Sequence, residues 1–304
     1  MQKTIARTVT FKGTGLHKGQ SVKMDILPAA ADYGIVFERT DVNTPDRIIE
    51  ANFLNITDTT LNTRLGGDVY VSTIEHLMAS FAGLGISNAH VKIDGPEVPI
   101  MDGSSKEFTA SLWKAGIIDQ NEAARIFVVT KTVRVSDDKG AYAELRPGVG
   151  FNMSYEIDFP NTAVGAQSAQ FNLNNGVFLR ELSNCRTFCK QQDVVEMRAH
   201  GLGLGGNLSN AVVVDGMTVL NPEGFRRSDE AVRHKMLDAL GDLYLVGGFI
   251  IGHYHGHRAG HRLTNMLLRE AWAQGAFDIQ RAQTSILDQL PGHAVNLHDL
   301  QFAS

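Results

Sequence analysis

The stretch from Ser228 to Val246, SDEAVRHKMLDALGDLYLV, limits what this chain can fold into more than any other. It predicts one helix, with Ser228 placed to cap it, Asp229 and Glu230 in its positive first turn, and Gly247 and Gly248 beyond its end. Val232, Met236, Ala239, Leu240 and Leu243 recur at helical spacing and predict a buried stripe. The opposite face holds His234, Asp238 and Asp242 in steps of four, with Lys235 beside them. That spacing lets an imidazole and a carboxylate hold one cation. An isolated His-x-x-x-Asp is usually an ordinary solvated face, so a metal site here needs a ligand from elsewhere.

Val71 to Leu84, VSTIEHLMASFAGL, offers one. It also reads as a helix, and aligning His76 with His234 aligns Met78 with Met236 and Gly83 with Gly241. This faint internal repeat suggests a duplicated unit whose halves face each other across one site. Two His and one Asp would leave zinc a position for water. Ser72 and Glu75 form an S-x-x-E capping box, the ordinary explanation of that glutamate. If His76 binds a metal, Glu75 is also placed to take a proton from metal-activated water.

With 304 residues, 43% of them hydrophobic and 20% charged, the chain can build two cored domains. A net charge of -5 gives no reason to expect nucleic acid as a partner. Cys185 and Cys189 alone make neither a disulfide framework nor a Cys-based zinc site, so reduced thiols in a cytoplasmic protein are expected. No apolar run reaches the roughly 18 residues of a membrane span, though the protein could act beside a membrane.

The chain opens with a strand, Thr4 to Phe11, and a glycine-rich turn, GTGLHKG, holding His17. Further strand-like runs lead to the first helix, and a second helix spans Glu107 to Ala115. Polar DQNEAAR, Asp119 to Arg125, marks a boundary between domains 1–121 and 122–304. The second half repeats the order, ending in a helix from Leu263 to Gln274. Each half reads as a sheet covered by two helices, an α+β arrangement. In the segment 184–214, GLGLGG lacks the Gly-Lys-Ser/Thr of a phosphate loop and reads as a flexible turn. His253, His255 and His257 alternate along a strand without a helix or carboxylate and are expected to be surface or hydrogen-bonded histidines. His261, beyond Gly260 at a helix start, is better placed for acid-base work.

STIEHLMASFAGLGI, GPEVPIMDGS, CRTF, GLGLGGNLSNAVVV, VLNPEGFR, VRHKMLDALGDLYLVG and GHRAGHRLTN together resemble the UDP-3-O-acyl-N-acetylglucosamine deacetylase family, in one order over nearly the whole chain. The resemblance implies a zinc hydrolase that removes the N-acetyl group of its UDP-sugar substrate in the committed step of lipid A biosynthesis. It implies two β-α-α-β layer domains with helices packed face to face and a small insert in each. Zinc, one per chain with Fe2+ an alternative in the cell, falls on His76, His234 and Asp238. Glu75 becomes the general base, His261 the second acid-base or oxyanion-stabilising group, and Asp242 its orienting partner. Thr187 donates to the oxyanion and Lys235 holds substrate near the metal. Phe159 and Phe188 fall at substrate-contacting positions. The insert at 184–214 makes a passage for the acyl chain, lined by Val194, Met197, Leu208 and Val213. Asn62 departs from the family, where many relatives carry cysteine. The resemblance does not require an oligomer.

Two other readings remain open on sequence alone. One is a non-catalytic binding protein with a structural metal, which a closed four-ligand sphere would favour. The other is a zinc hydrolase of a different acylated sugar.

Overall fold

Two sheets built to the same strand order frame the molecule, which is α+β. The computed structural model describes residues 1–283, 286 and 289–301. In the first half the order is Val9–Thr14, Ser21–Pro28, Ala89–Ile93, Ile35–Arg39, Ile48–Glu50. The central strand arrives last in the chain, antiparallel to Ser21–Pro28 and parallel to Ile35–Arg39. In the second half Val133–Ser136, Tyr142–Arg146, Phe249–His257, Phe151–Phe159 and Gly165–Asn172 follow that plan, again with a late central strand. Arg125–Val129 and Phe277–Arg281 extend this sheet, and their counterparts Lys3–Ile5 and Ile117–Asp119 form a separate two-stranded ribbon.

Helices α1, Glu75–Leu84, and α2, Lys106–Ala115, flank the first central strand in sequence. A short α3, Gln191–Ala199, lies in the second half, where α4, Glu230–Tyr244, and α5, His261–Ala273, flank the other central strand. Each half carries an insert at the same point, before its α1 or α4. The first is a three-stranded sheet, Ile56–Asp58, Arg64–Gly66 and Tyr70–Val71. The second pairs Phe188–Lys190 in parallel with Val212–Asp215, with α3 as the crossover.

α1 and α4 pack directly against each other. Gly241 permits it, because a Cβ there would lie 2.0 Å from the Glu75 carbonyl oxygen. All ten residues of α1 are buried, and in α4 only Arg233 and Lys235 reach solvent. The face carrying His234, Asp238 and Asp242 is therefore covered, not solvated.

Several local expectations are corrected. α1 starts at Glu75, so no capping box forms: Ser72 bridges to Glu97 and its hydroxyl donates to the Pro96 carbonyl. Thr73, at φ 57°, turns the chain sharply into the helix. Ser228 does not cap α4, whose N-cap is Asp229, its carboxylate paired with Arg233 at 2.8 Å and not with the helix N–H groups. The GLGLGG turn is docked and not free: Gly205 N–H donates to Leu16 O at 3.0 Å and Leu204 N–H to His17 O at 3.2 Å. A side chain at Gly205 would meet the Gly15 carbonyl at 2.3 Å. No helix among the described residues is long and apolar enough to cross a membrane.

Candidate active site

The α1–α4 crossing brings the two repeat-related histidines together. Their rings stand 5.0 Å apart, centroid to centroid, at 83°. His76 Nε2 and His234 Nε2 lie 3.4 and 3.3 Å from Asp238 Oδ1. The donor atoms of these three buried residues fall within 4.8 Å of one another, the one such group among the described residues. Asp238 Oδ1 is buried without a hydrogen-bond partner, whereas Oδ2 accepts from Lys235 Nζ at 2.9 Å. His234 Nδ1 meets the Cys185 carbonyl at 3.0 Å. A carbonyl only accepts, so Nδ1 carries the hydrogen and the Nε2 lone pair faces Asp238.

Charge states suit a cation. Burial drives the His234 pKa down to about 3 against the opposing pull of Asp238, keeping the imidazole neutral. Burial works against ionised Asp238, but His234 and Lys235 hold its carboxyl well below the usual range. Two imidazole nitrogens and an orphaned anionic oxygen converging at three buried residues fit a zinc-type ion.

A second group adjoins this one. Glu75 Oε1 lies 3.8 Å from His261 Nε2, and Oε2 accepts the Thr63 N–H at 3.1 Å. His261 Nδ1 donates to Asp242 Oδ2 at 2.7 Å, while Thr63 Oγ1 donates to Asp242 Oδ1 at 2.5 Å. Burial raises the Glu75 pKa despite His261 and His76 nearby. For His261 burial favours the neutral ring, but Asp242 and Glu75 outweigh it and raise the pKa to about 9. Thr63 ties both carboxylates, by its N–H to Glu75 and its hydroxyl to Asp242, and no sequence spacing marks such a loop residue.

Phe159, Phe188, Val194, Met197, Leu208 and Val213 all line one cavity of about 850 Å³, together with Thr187 and Lys235. Lys235 joins that cavity to Asp238. Phe159 and Phe188 meet edge to face at 5.2 Å. His17 also lines it, buried with neither ring nitrogen hydrogen-bonded, while Glu97 accepts the backbone N–H groups of His17 and Lys18. In the sequence it was only a turn residue. His253, His255 and His257 lie on the other face of their strand from Tyr254, which reaches Thr264 of α5. Arg146, Ser154 and Glu156 engage them.

The profile of the family described as UDP-3-O-acyl N-acetylglycosamine deacetylase matches residues 2–273. The chain belongs to this deacetylase family. A UDP-3-O-acyl-N-acetylglucosamine deacetylase of Acidithiobacillus ferrooxidans is 43% identical over 95% of this chain and 97% of its own length. One from Chromobacterium violaceum is 43% identical over 96% and 98%. One from a Shewanella species, strain ANA-3, is 41% identical over 97% and 98%. The family resemblance seen in the sequence and the α+β fold thus stand.

Proposed function

We propose that this chain is a zinc-dependent amidohydrolase that converts UDP-3-O-((R)-3-hydroxyacyl)-N-acetylglucosamine to the free amine and acetate, the committed step of lipid A biosynthesis, in the cytoplasm. The observation that carries the reading is the unpartnered, buried Oδ1 of Asp238 facing the Nε2 atoms of His76 and His234. These three residues would hold the metal. When bound, zinc supplies Lewis acidity, polarising the acetyl carbonyl and lowering the pKa of water to about 7. Fe2+ suits the same donors. The set of three donors among the described residues leaves room for chemistry, which argues against a purely structural metal.

The chain's own residues divide the remaining work. Glu75, held by the Thr63 N–H, accepts the proton of the attacking water. Thr187 and the His261 imidazolium donate to the oxyanion, and Asp242 fixes the tautomer and tilt of that ring. Lys235 orients Asp238 and meets substrate in the cavity it lines. The departing amine takes its proton from Glu75 or His261, both of whose pKa values the site raises. Phe159 and Phe188 contact the substrate, and Val194, Met197, Leu208 and Val213 receive its acyl chain. Residues 1–121 and 122–304 act as the two domains. A single chain suffices, and the apolar passage suits work near a membrane surface.

The deciding experiment incubates zinc-loaded protein with the acylated UDP-sugar and measures acetate, with Glu75→Ala alongside. The wild type should release acetate, and Glu75→Ala should keep zinc but lose about 10²–10⁴ in rate. No release from folded, metal-loaded wild type would sink the reading. Full turnover by Glu75→Ala would remove Glu75 as base.

A further inference from the structure

Glu230 opens α4 one turn before His234 and is 1% exposed. Its Oε1 accepts both the backbone N–H and the Nε–H of Arg186, each at 2.9 Å. Its Oε2 accepts the Arg226 N–H at 2.6 Å and Arg186 Nη2 at 3.2 Å. The Arg186 N–H belongs to the same peptide group as the Cys185 carbonyl, and that carbonyl receives the Nδ1 hydrogen of His234. Glu230 and His234, four residues apart on one helix face, therefore grip a single peptide plane from its two ends.

We propose that Glu230 is a positioning residue that acts on His234 through the Cys185–Arg186 peptide. A carboxylate accepting the N–H end of an amide pushes electron density toward its oxygen, and hydrogen bonds in such a chain reinforce one another. The Cys185 oxygen becomes a stronger acceptor, which fixes the His234 tautomer and makes Nε2 a better donor to a metal. A carboxylate bonded directly to a ligating histidine has this effect. Here the peptide stands between them. The same grip places Thr187, whose N–H donates to Gly103 O and whose carbonyl accepts from Val212 N, each at 2.8 Å. Arg186 completes the clasp with Glu223 and the Gly224 carbonyl, at 2.5 and 2.7 Å.

This inference rests on the metal-centre reading, yet its test does not need turnover. Zinc affinity of the full chain is measured by chelator competition for wild type, Glu230→Gln and Arg186→Lys. Arg186→Lys keeps the backbone N–H on Glu230 and breaks the guanidinium fork, so it loses stability without losing the relay. Glu230→Gln should weaken zinc about 10- to 100-fold, while Arg186→Lys stays within about threefold of wild type. In metal-free protein the His234 ring nitrogens, read by NMR, should show only Nδ1 protonated in wild type and a tautomer mixture in Glu230→Gln. If Glu230→Gln does not fold, Glu230→Asp, which keeps the charge but shortens the reach, should weaken zinc in the same direction. Equal zinc affinity in all variants, or losses that follow melting temperature alike in the Glu230 and Arg186 variants, would overturn the relay. Zinc bound with the expected pattern but no acetate released would leave the relay standing and sink the deacetylase reading alone.

Discussion

His261 carries the sharpest electrostatic consequence of the site. Burial opposes its charge, yet Asp242 at 2.7 Å and Glu75 at 3.8 Å lift its pKa from 6.5 to about 9. A histidine raised on folding gives stability that is complete below its unfolded value and lost as pH climbs through the folded one. Metal-free protein should therefore lose melting temperature between about pH 6.5 and 9, and the His261 ring resonances should shift with a midpoint near 9. Asp242→Asn should lower the midpoint and flatten the decline. A positive ion at the neighbouring triad should lower it too. A wild-type midpoint near 6.5 in metal-free protein would contradict this account. His76, His234, Asp238 and His261 were legible in the sequence because helical spacing and a helix start gave them a shared geometry. Thr63 and the Glu230 clasp were not, because they act through loop backbone groups that no periodicity places.

At the scale of elements, the α1–α4 crossing depends on the missing side chain at Gly241. Alanine normally favours a helix by about 1 kcal/mol over glycine. Here its Cβ would meet the Glu75 oxygen at 2.0 Å and the Ala79 nitrogen at 3.0 Å. Gly241→Ala should thus reverse the usual sign, destabilising the fold by about 1–3 kcal/mol, and weaken zinc by displacing Glu75 and His76 together. Denaturant unfolding and chelator competition measure the two effects; a variant as stable as wild type would show slack in the crossing. Periodicity located both helices but misjudged their ends and surroundings. A capping box and a helix start with a buried glutamate look alike in sequence, and only Thr73 at positive φ and the Ser72 bridge separate them. A polar face likewise does not announce that a second helix covers it.

Across the whole molecule, the repeat of elements along the chain was legible, but the order in which the strands pair was not, because each sheet takes its central strand from beyond its inserts. The matched His76 and His234, Met78 and Met236, and Gly83 and Gly241, with the like order of strands and helices in each half, marked the repeat. Since the triad draws His76 from one half and His234 with Asp238 from the other, metal should act as a cross-link between them. Zinc at a hundredfold excess over its dissociation constant should add about 2.7 kcal/mol of stability, lost to a chelator and absent in His76→Ala. An equal thermal response to zinc in His76→Ala would place the metal elsewhere.

The repeat is also unequal where it matters. Aligned on the two histidines, Glu75 corresponds to Arg233 and Asp238 to Ser80, whose hydroxyl donates to the His76 carbonyl. Identical copies would give the site two equivalent flanks, and a trigonal carbonyl lying between them could be approached from either side. With Glu75 on one copy and Asp238 on the other, the fold makes the flanks chemically different. For the amide cleavage proposed here, the acetyl carbon is then open to attack on one prochiral face alone.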